Sequence, residues 1–204
     1  MDHAPAGHAA HAAHPAHLDT STGLDSRKLA LWVMIGSECL LFGSLIASYL
    51  AYEGNSLVGP YPHEILDIPL TSLSTFVLLM SSLAMVLALA AIQRGDQRWG
   101  RNHLLITAGL GSLFLGFQAY EFTAFHIEGL TLGTNLFGST FYMLTGCHGA
   151  HVAVGVLWLL SLAWQAHKGR LGPEKSLTVE ISGLYWHFVD VVWIVIFALV
   201  YLIQ

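Results

Sequence analysis

The sequence predicts an all-α, polytopic membrane protein built as a bundle of five transmembrane helices. Three observations carry that prediction. Charged residues are only 10% of the 204-residue chain, against about 25% in soluble proteins. Hydrophobic residues make up 54%, which leaves too little polar surface to coat a water-soluble body, whereas lipid needs no such coat. Finally, the apolar residues gather in five stretches of about 20 residues or more, the length that crosses a hydrocarbon core of roughly 30 Å. None of these stretches alternates polar and apolar residues as the wall of a barrel would.

Taken in order, residues 1–27 form a tail that opens MDHAPAGHAAHAAHPAHLDT, with histidines at His3, His8, His11, His14 and His17. It has neither the basic start nor the apolar core of a signal peptide, so it is read as a retained cytoplasmic extension. Its low complexity predicts disorder, and its histidines are the chain's one weak candidate for transition-metal binding. Residues 28–204 form the membrane domain. The predicted spans run near Leu29 to Tyr52, Leu70 to Ile92, His103 to Phe125, Phe137 to Ala166 and Ile181 to Ile203. The second contains no ionisable residue at all.

The loops orient the bundle. Arg27 and Lys28 precede the first span, Arg94, Arg98 and Arg101 lie between the second and third, and Lys168, Arg170 and Lys175 lie between the fourth and fifth. All eight cationic residues therefore fall at one end, while the opposite loops carry Glu53, Glu64, Asp67 and Glu128. By the positive-inside rule the N-terminus is cytoplasmic and the C-terminus lies outside. With a net charge of -5 and so few dispersed cations, a nucleic-acid partner is excluded. Only two cysteines occur, Cys39 and Cys147, too few for a disulfide framework or a thiolate metal site.

An ionisable group within a membrane span costs about 2.5 kcal/mol or more, so it asks for an internal partner or a function. Glu38 lies about 15 Å beyond Lys28 at 1.5 Å per residue, near the bilayer centre. Asp190 and His148 lie at similar depth on the fifth and fourth spans. His187 and His151 sit one turn from Asp190 and His148, so each pair shares a helix face. One reading is structural: these groups hydrogen-bond each other, His187 to Asp190 in particular, and fix helix register. The other is a proton-accepting or lipid-headgroup site around Glu38. Glu121, near the outer end of the third span, reads as an interfacial or packing residue beside Tyr120. Gly36, Gly43 and Ala47 on the first span, and Gly109, Ser112 and Gly116 on the third, form small-residue faces that permit close backbone approach. Trp158, Trp164, Trp186 and Trp193 read as anchors or fillers of the bundle.

The chain has no HExxH, no GxSxG and no Walker lysine. His148 and His151 at i and i+3 are half of a metal site, and further ligands would have to come from His187, Asp190 or Glu38. Two imidazoles from the fourth and fifth spans would also suit the axial positions of a haem. Three classes of function follow: a scaffold subunit without its own redox centre, a proton-coupled transporter, and a b-type haem protein. Transporters of the second class usually show inverted repeats and broken helices, and the five spans are dissimilar.

Two long motifs resemble one family. Ser182-Gly-Leu-Tyr-Trp-His-Phe-Val-Asp-Val-Val-Trp193 is similar to the YWHFVDVVW signature of subunit III of the haem-copper terminal oxidases. Gly138-Ser-Thr-Phe-Tyr-Met-Leu-Thr-Gly-Cys-His-Gly-Ala-His-Val152 resembles that family's GSxFYxxTGxHGxHV segment. Ser37-Glu38 and Gly116-Phe-Gln-Ala-Tyr-Glu-Phe122 match in the same order, so the resemblance runs from about residue 30 to the C-terminus.

The resemblance implies a non-catalytic core subunit of a proton-pumping respiratory oxidase, which reduces oxygen to water, in the bacterial cytoplasmic membrane. It implies no cofactor in this chain, with haem and copper in partner subunits. Partners are subunit I by direct packing, subunit II and small accessory subunits, together with bound phospholipid. It places the family's buried helix glutamate on Glu38, and His148, His151, His187, Asp190 and Glu121 at the characteristic positions of the later helices. Larger family members have seven helices, two of which complete a V-shaped, lipid-filled cleft; this chain starts at what would be the third, as in the short bacterial form. Cytochrome c is the expected electron donor and a quinol the alternative, since subunit II makes that choice. The histidine-rich tail matches nothing in the family pattern.

Overall fold

The computed structural model describes residues 25–52 and 67–203. Among these residues the protein is a bundle of long helices with no strand, and five helices are long and apolar enough to cross a membrane. They are α1 (Ser26–Tyr52), α2 (Ile68–Gln93), α3 (Gln97–Ile127), α4 (Leu136–His167) and α5 (Ser176–Phe197). A short 3-10 turn at Pro173–Lys175 leads into α5, and a π turn at Ala198–Leu202 continues it.

Helices α2, α3 and α4 reach beyond their predicted apolar stretches, because polar capping residues extend them past the hydrocarbon. The Asp67 carboxylate accepts from the Leu70 N–H at 3.0 Å and opens α2. Asp96 does the same for the Trp99 N–H at 3.0 Å, so α3 starts six residues before the predicted His103. The α2–α3 connection is correspondingly tight and turns on Gly95, whose φ of 84° lies in the left-handed region that a side chain disfavours. Asn135 caps α4 by accepting from the Gly138 N–H at 2.7 Å. Side-chain oxygens thereby satisfy N–H groups that a helix start leaves without partners.

Helix α2 packs along α3, α3 along α4, and α5 lies against α2 and α4, whereas α1 leans on α4 and α5. The centre of the bundle is aromatic. Trp186 of α5 is buried, and its ring fills the space left by Gly111 of α3 and Gly155 of α4. A Cβ at either glycine would stand 2.5 Å or 2.8 Å from that ring, inside van der Waals contact. The Trp186 Nε1–H donates to Ser81 Oγ at 2.9 Å, and the Trp193 Nε1–H donates to Thr75 Oγ1 at 2.9 Å. In lipid such polar atoms need a partner within the protein.

The small-residue faces fall differently from the sequence reading. A Cβ added to Gly36, Gly43, Gly109 or Gly116 would meet nothing within 4 Å. Close approach is made instead by Gly111, Gly155 and Gly149, which point inward. Composition marks which positions permit contact; helix rotation decides which ones make it.

Candidate functional site at the α1–α4 seam

Glu38 sits midway along α1, and His151 lies opposite it on α4. His151 Nε2 and Glu38 Oε2 are 3.2 Å apart, with the side chains 20% and 23% exposed. On its other side the His151 ring nitrogen Nδ1 lies 2.8 Å from the Cys147 carbonyl one turn back. A carbonyl only accepts, so Nδ1 carries a hydrogen; this tautomer follows from the hydrogen-bond network. In neutral His151, Nε2 then offers only a lone pair. The short contact to Glu38 therefore requires one shared proton, either on the carboxyl or as the second hydrogen of an imidazolium. The pair is a one-proton device.

Its surroundings hold that geometry. The Tyr185 hydroxyl of α5 donates to the His151 carbonyl at 3.0 Å. The Phe42 ring, one turn from Glu38, packs edge-on against the His151 imidazole with centroids 5.0 Å apart. Beside the pair runs a groove of about 290 Å³ whose other lining residues are Met34, Ala150, Val154, Trp158 and Tyr185. A carboxylate–imidazole pair thus faces an apolar slot on the flank of the bundle.

The remaining predicted polar residues do not join this pair. His148 is fully buried; its Nε2 donates to the Val189 carbonyl at 3.2 Å, and its ring lies against Trp193 at 4.9 Å and Phe114 at 5.8 Å. Its Nδ1 has no hydrogen-bond partner. His187 pairs through Nδ1 with the Ser82 hydroxyl of α2, not with Asp190 as the sequence reading expected. Both residues face α2, where a serine hydroxyl reaches the imidazole first. Asp190 is 3% exposed, and the Ser82 side chain faces it without closing a hydrogen bond of good geometry, so neither carboxyl oxygen has a partner. Glu121 is buried rather than interfacial: its Oε1 accepts from Thr71 Oγ1 at 2.9 Å and from the Tyr201 hydroxyl at 3.0 Å. Similar depth does not make one cluster.

No three His, Cys, Asp or Glu side chains converge on a metal position among the described residues. The imidazoles also fail the geometry of a bis-histidine haem: His148 Nε2 is committed to a carbonyl, and His187 is turned to Ser82. The tail histidines His3, His8, His11, His14 and His17 lie outside the described residues. Tyr185, Ser82, Thr71 and Tyr201 are partners that sequence reasoning missed. Tyr185 stood in plain view in the fifth-span motif, but its hydroxyl target is a backbone carbonyl that no pattern specifies.

Fold and seam together define a multi-pass membrane bundle with an ionisable pair inside the hydrocarbon zone. The family model for cytochrome c oxidase subunit III matches residues 16–204. Quinol oxidase subunit 3 of Bacillus spizizenii is 38% identical over 174 residues, covering 85% of each chain. Cytochrome c oxidase subunit 3 of Bacillus sp. strain PS3 is 40% identical over 174 residues, covering 85% of this chain and 84% of its own. The cytochrome c oxidase subunit 3 of Thermostichus vulcanus is 37% identical over 180 residues, covering 88% of each. The chain belongs to the cytochrome c oxidase subunit III family, whose members are subunits of haem-copper terminal oxidase complexes. That membership separates it from the transporter and b-type haem readings.

Proposed function

We propose that this bundle packs against subunit I of a proton-pumping oxidase in the bacterial cytoplasmic membrane, with subunit II and small accessory chains in the same assembly. There it rigidifies the catalytic subunit and supports its proton uptake. Haem and copper reside in the partner subunits, and this chain contributes packing surface, bound phospholipid and one proton-holding pair. The N-terminus lies in the cytoplasm and the C-terminus outside, in keeping with the single cationic end. The observation that carries the reading is the Glu38–His151 contact beside an apolar groove. An ionisable pair at this depth is expensive to keep in a merely structural helix seam.

Glu38 and His151 hold one proton between them, the Cys147 carbonyl fixes the imidazole while the Tyr185 hydroxyl holds the His151 backbone carbonyl, and the groove accepts an acyl chain against Met34, Val154 and Trp158. Cytochrome c is the electron donor in the preferred reading. A quinol is the alternative, and the relatives support both, since the similar chains carry either name. The test is Glu38→Gln in the purified assembly. Gln keeps the shape and a hydrogen bond to Nε2 but cannot exchange the proton. The reading expects normal assembly with altered proton pumping, turnover or inactivation during use. Assembly, pumping, turnover and working lifetime all unchanged would reduce the pair to structural polarity.

A further inference from the structure

The opposite edge of α4, where it meets α3, carries a second feature that the Glu38 seam does not use. At the cationic end of the bundle a cavity of about 460 Å³ opens between the two helices, lined by Arg101, Leu105, Leu160, Ala163, Trp164 and His167. Arg101 has no carboxylate partner among the described residues: its guanidinium meets Asn102 Oδ1 at 3.1 Å and His167 Nδ1 at 3.2 Å. Lys168 also lacks one, and its ammonium lies 4.7 Å from the centre of the Trp164 ring. Nearby acidic groups are engaged elsewhere, Asp96 in capping α3 and Glu180 in pairing with Lys28. Two uncompensated cations and an indole thus border the mouth of a cavity whose floor is aliphatic.

Farther along the same helix pair lies a second hollow of about 230 Å³, lined by Leu115, Gln118, Ala119, Phe122, Gly146 and Gly149. Leu115 is about 21 Å along α3 from Arg101 at 1.5 Å per residue. The linings of the two hollows do not overlap, and about 15 Å of α3 separates Leu105 from Leu115. Gly109 and Gly116 beside it have open space where a side chain would stand.

We propose that this edge binds one anionic phospholipid, with its phosphodiester between Arg101 and Lys168 and an acyl chain along Leu105 and Leu160. Charge selects the headgroup, since cations at the membrane surface attract anionic lipid. The aliphatic floor selects a lipid over free phosphate, which has no use for it. Trp164 sits where an indole commonly anchors at the interface. This site is separate from the Glu38 groove and independent of the role assigned to that pair.

The test uses the whole purified assembly, stripped of loosely held lipid and re-equilibrated with phosphatidylglycerol or phosphatidylcholine, with retained lipid counted by native mass spectrometry. The native assembly should hold one more phosphatidylglycerol than R101Q/K168Q, with affinity falling about fivefold for each charge removed. Phosphatidylcholine should not replace it, and millimolar inorganic phosphate should not displace it. Leu160→Trp fills the slot while keeping both charges and should lose the same lipid, whereas Arg101→Lys should retain it. Unchanged retention in both R101Q/K168Q and L160W would overturn the proposal. So would displacement by inorganic phosphate, or a photoreactive group at position 160 that captures another subunit instead of lipid.

Discussion

Helices α1 and α5 carry carboxylates at similar depth, yet they use them in opposite settings. Only 11% of the membrane-length stretch of α1 is buried within the chain, against 50% for the segment that contains α5. On α1 just Leu31, Phe42 and Tyr49 are buried, so Glu38 reaches its partner from the rim and stays beside an open groove. On α5, Asp190 is sealed among helices with neither oxygen bonded, while Trp186 and Trp193 lock the surroundings. The rim carboxyl meets an imidazole beside an open groove; the sealed one lies within the packed bundle. In the proposed reading the central helix sets stability, and the peripheral one supplies the proton-holding pair.

The sharpest way to break that contrast is to disturb the centre. Gly155→Val would drive a Cβ to 2.8 Å from the Trp186 ring and 3.3 Å from Tyr185. Overpacking of this kind costs about 1 to 3 kcal/mol or more, and the rigid indole cannot give way without displacing α3. We expect loss of folded protein, measured as yield and unfolding midpoint in detergent. Unperturbed stability would mean that α5 is not the keystone. Next in size is Trp186→Phe, which leaves an aromatic ring against Gly111 and Gly155 but removes the Nε1–H donated to Ser81. Ser81 still donates to the Leu78 carbonyl, so one buried hydrogen bond is lost, about 1 kcal/mol, with a small cavity added.

The same contrast explains what the sequence could and could not reveal. The five spans were legible because lipid fixes their length and composition, and the ionisable positions Glu38, His148, His151, His187, Asp190 and Glu121 stood out against apolar neighbours. Their partners were less legible, because pairing depends on helix rotation about axes that a linear pattern leaves free. His187 and Asp190 share a face, yet the imidazole turns to Ser82. Glu121 near a helix end read as an interfacial or packing residue, and it is the packing alternative that the structure shows: α3 runs on to Ile127 and buries it against Thr71 and Tyr201. Gly36 and Gly43 looked like contact glycines and face open space, while Gly111 and Gly155 accept the Trp186 ring. Side-chain type was readable; the neighbour across the interface was not.

Smaller effects belong to the rim. Glu38→Gln should change unfolding stability by less than about 1 kcal/mol, because the amide can still donate to His151 Nε2, so one hydrogen bond replaces another. Its spectroscopic effect should be clear. Infrared difference spectra of the assembly should lose a carboxyl or carboxylate band that the native protein shows. A destabilisation as large as that of Trp186→Phe would place Glu38 among the packing residues and erase the distinction between the two helices.

Smallest of all is Lys28→Met. Lys28 tethers the cationic end of α1 to Glu180 of α5, but the two side chains are 29% and 34% exposed. Screening by water and salt leaves such a pair about 0 to 1 kcal/mol, and the methionine stem keeps the aliphatic contact. The expected outcome is a shift in unfolding midpoint within error at high salt and barely resolved at low salt. A large, salt-insensitive loss would mean that the tether is what holds α1 to the bundle. Phe42 and Tyr49 would then be insufficient anchors, and the Glu38–His151 distance would depend on an ion pair ten residues away along α1.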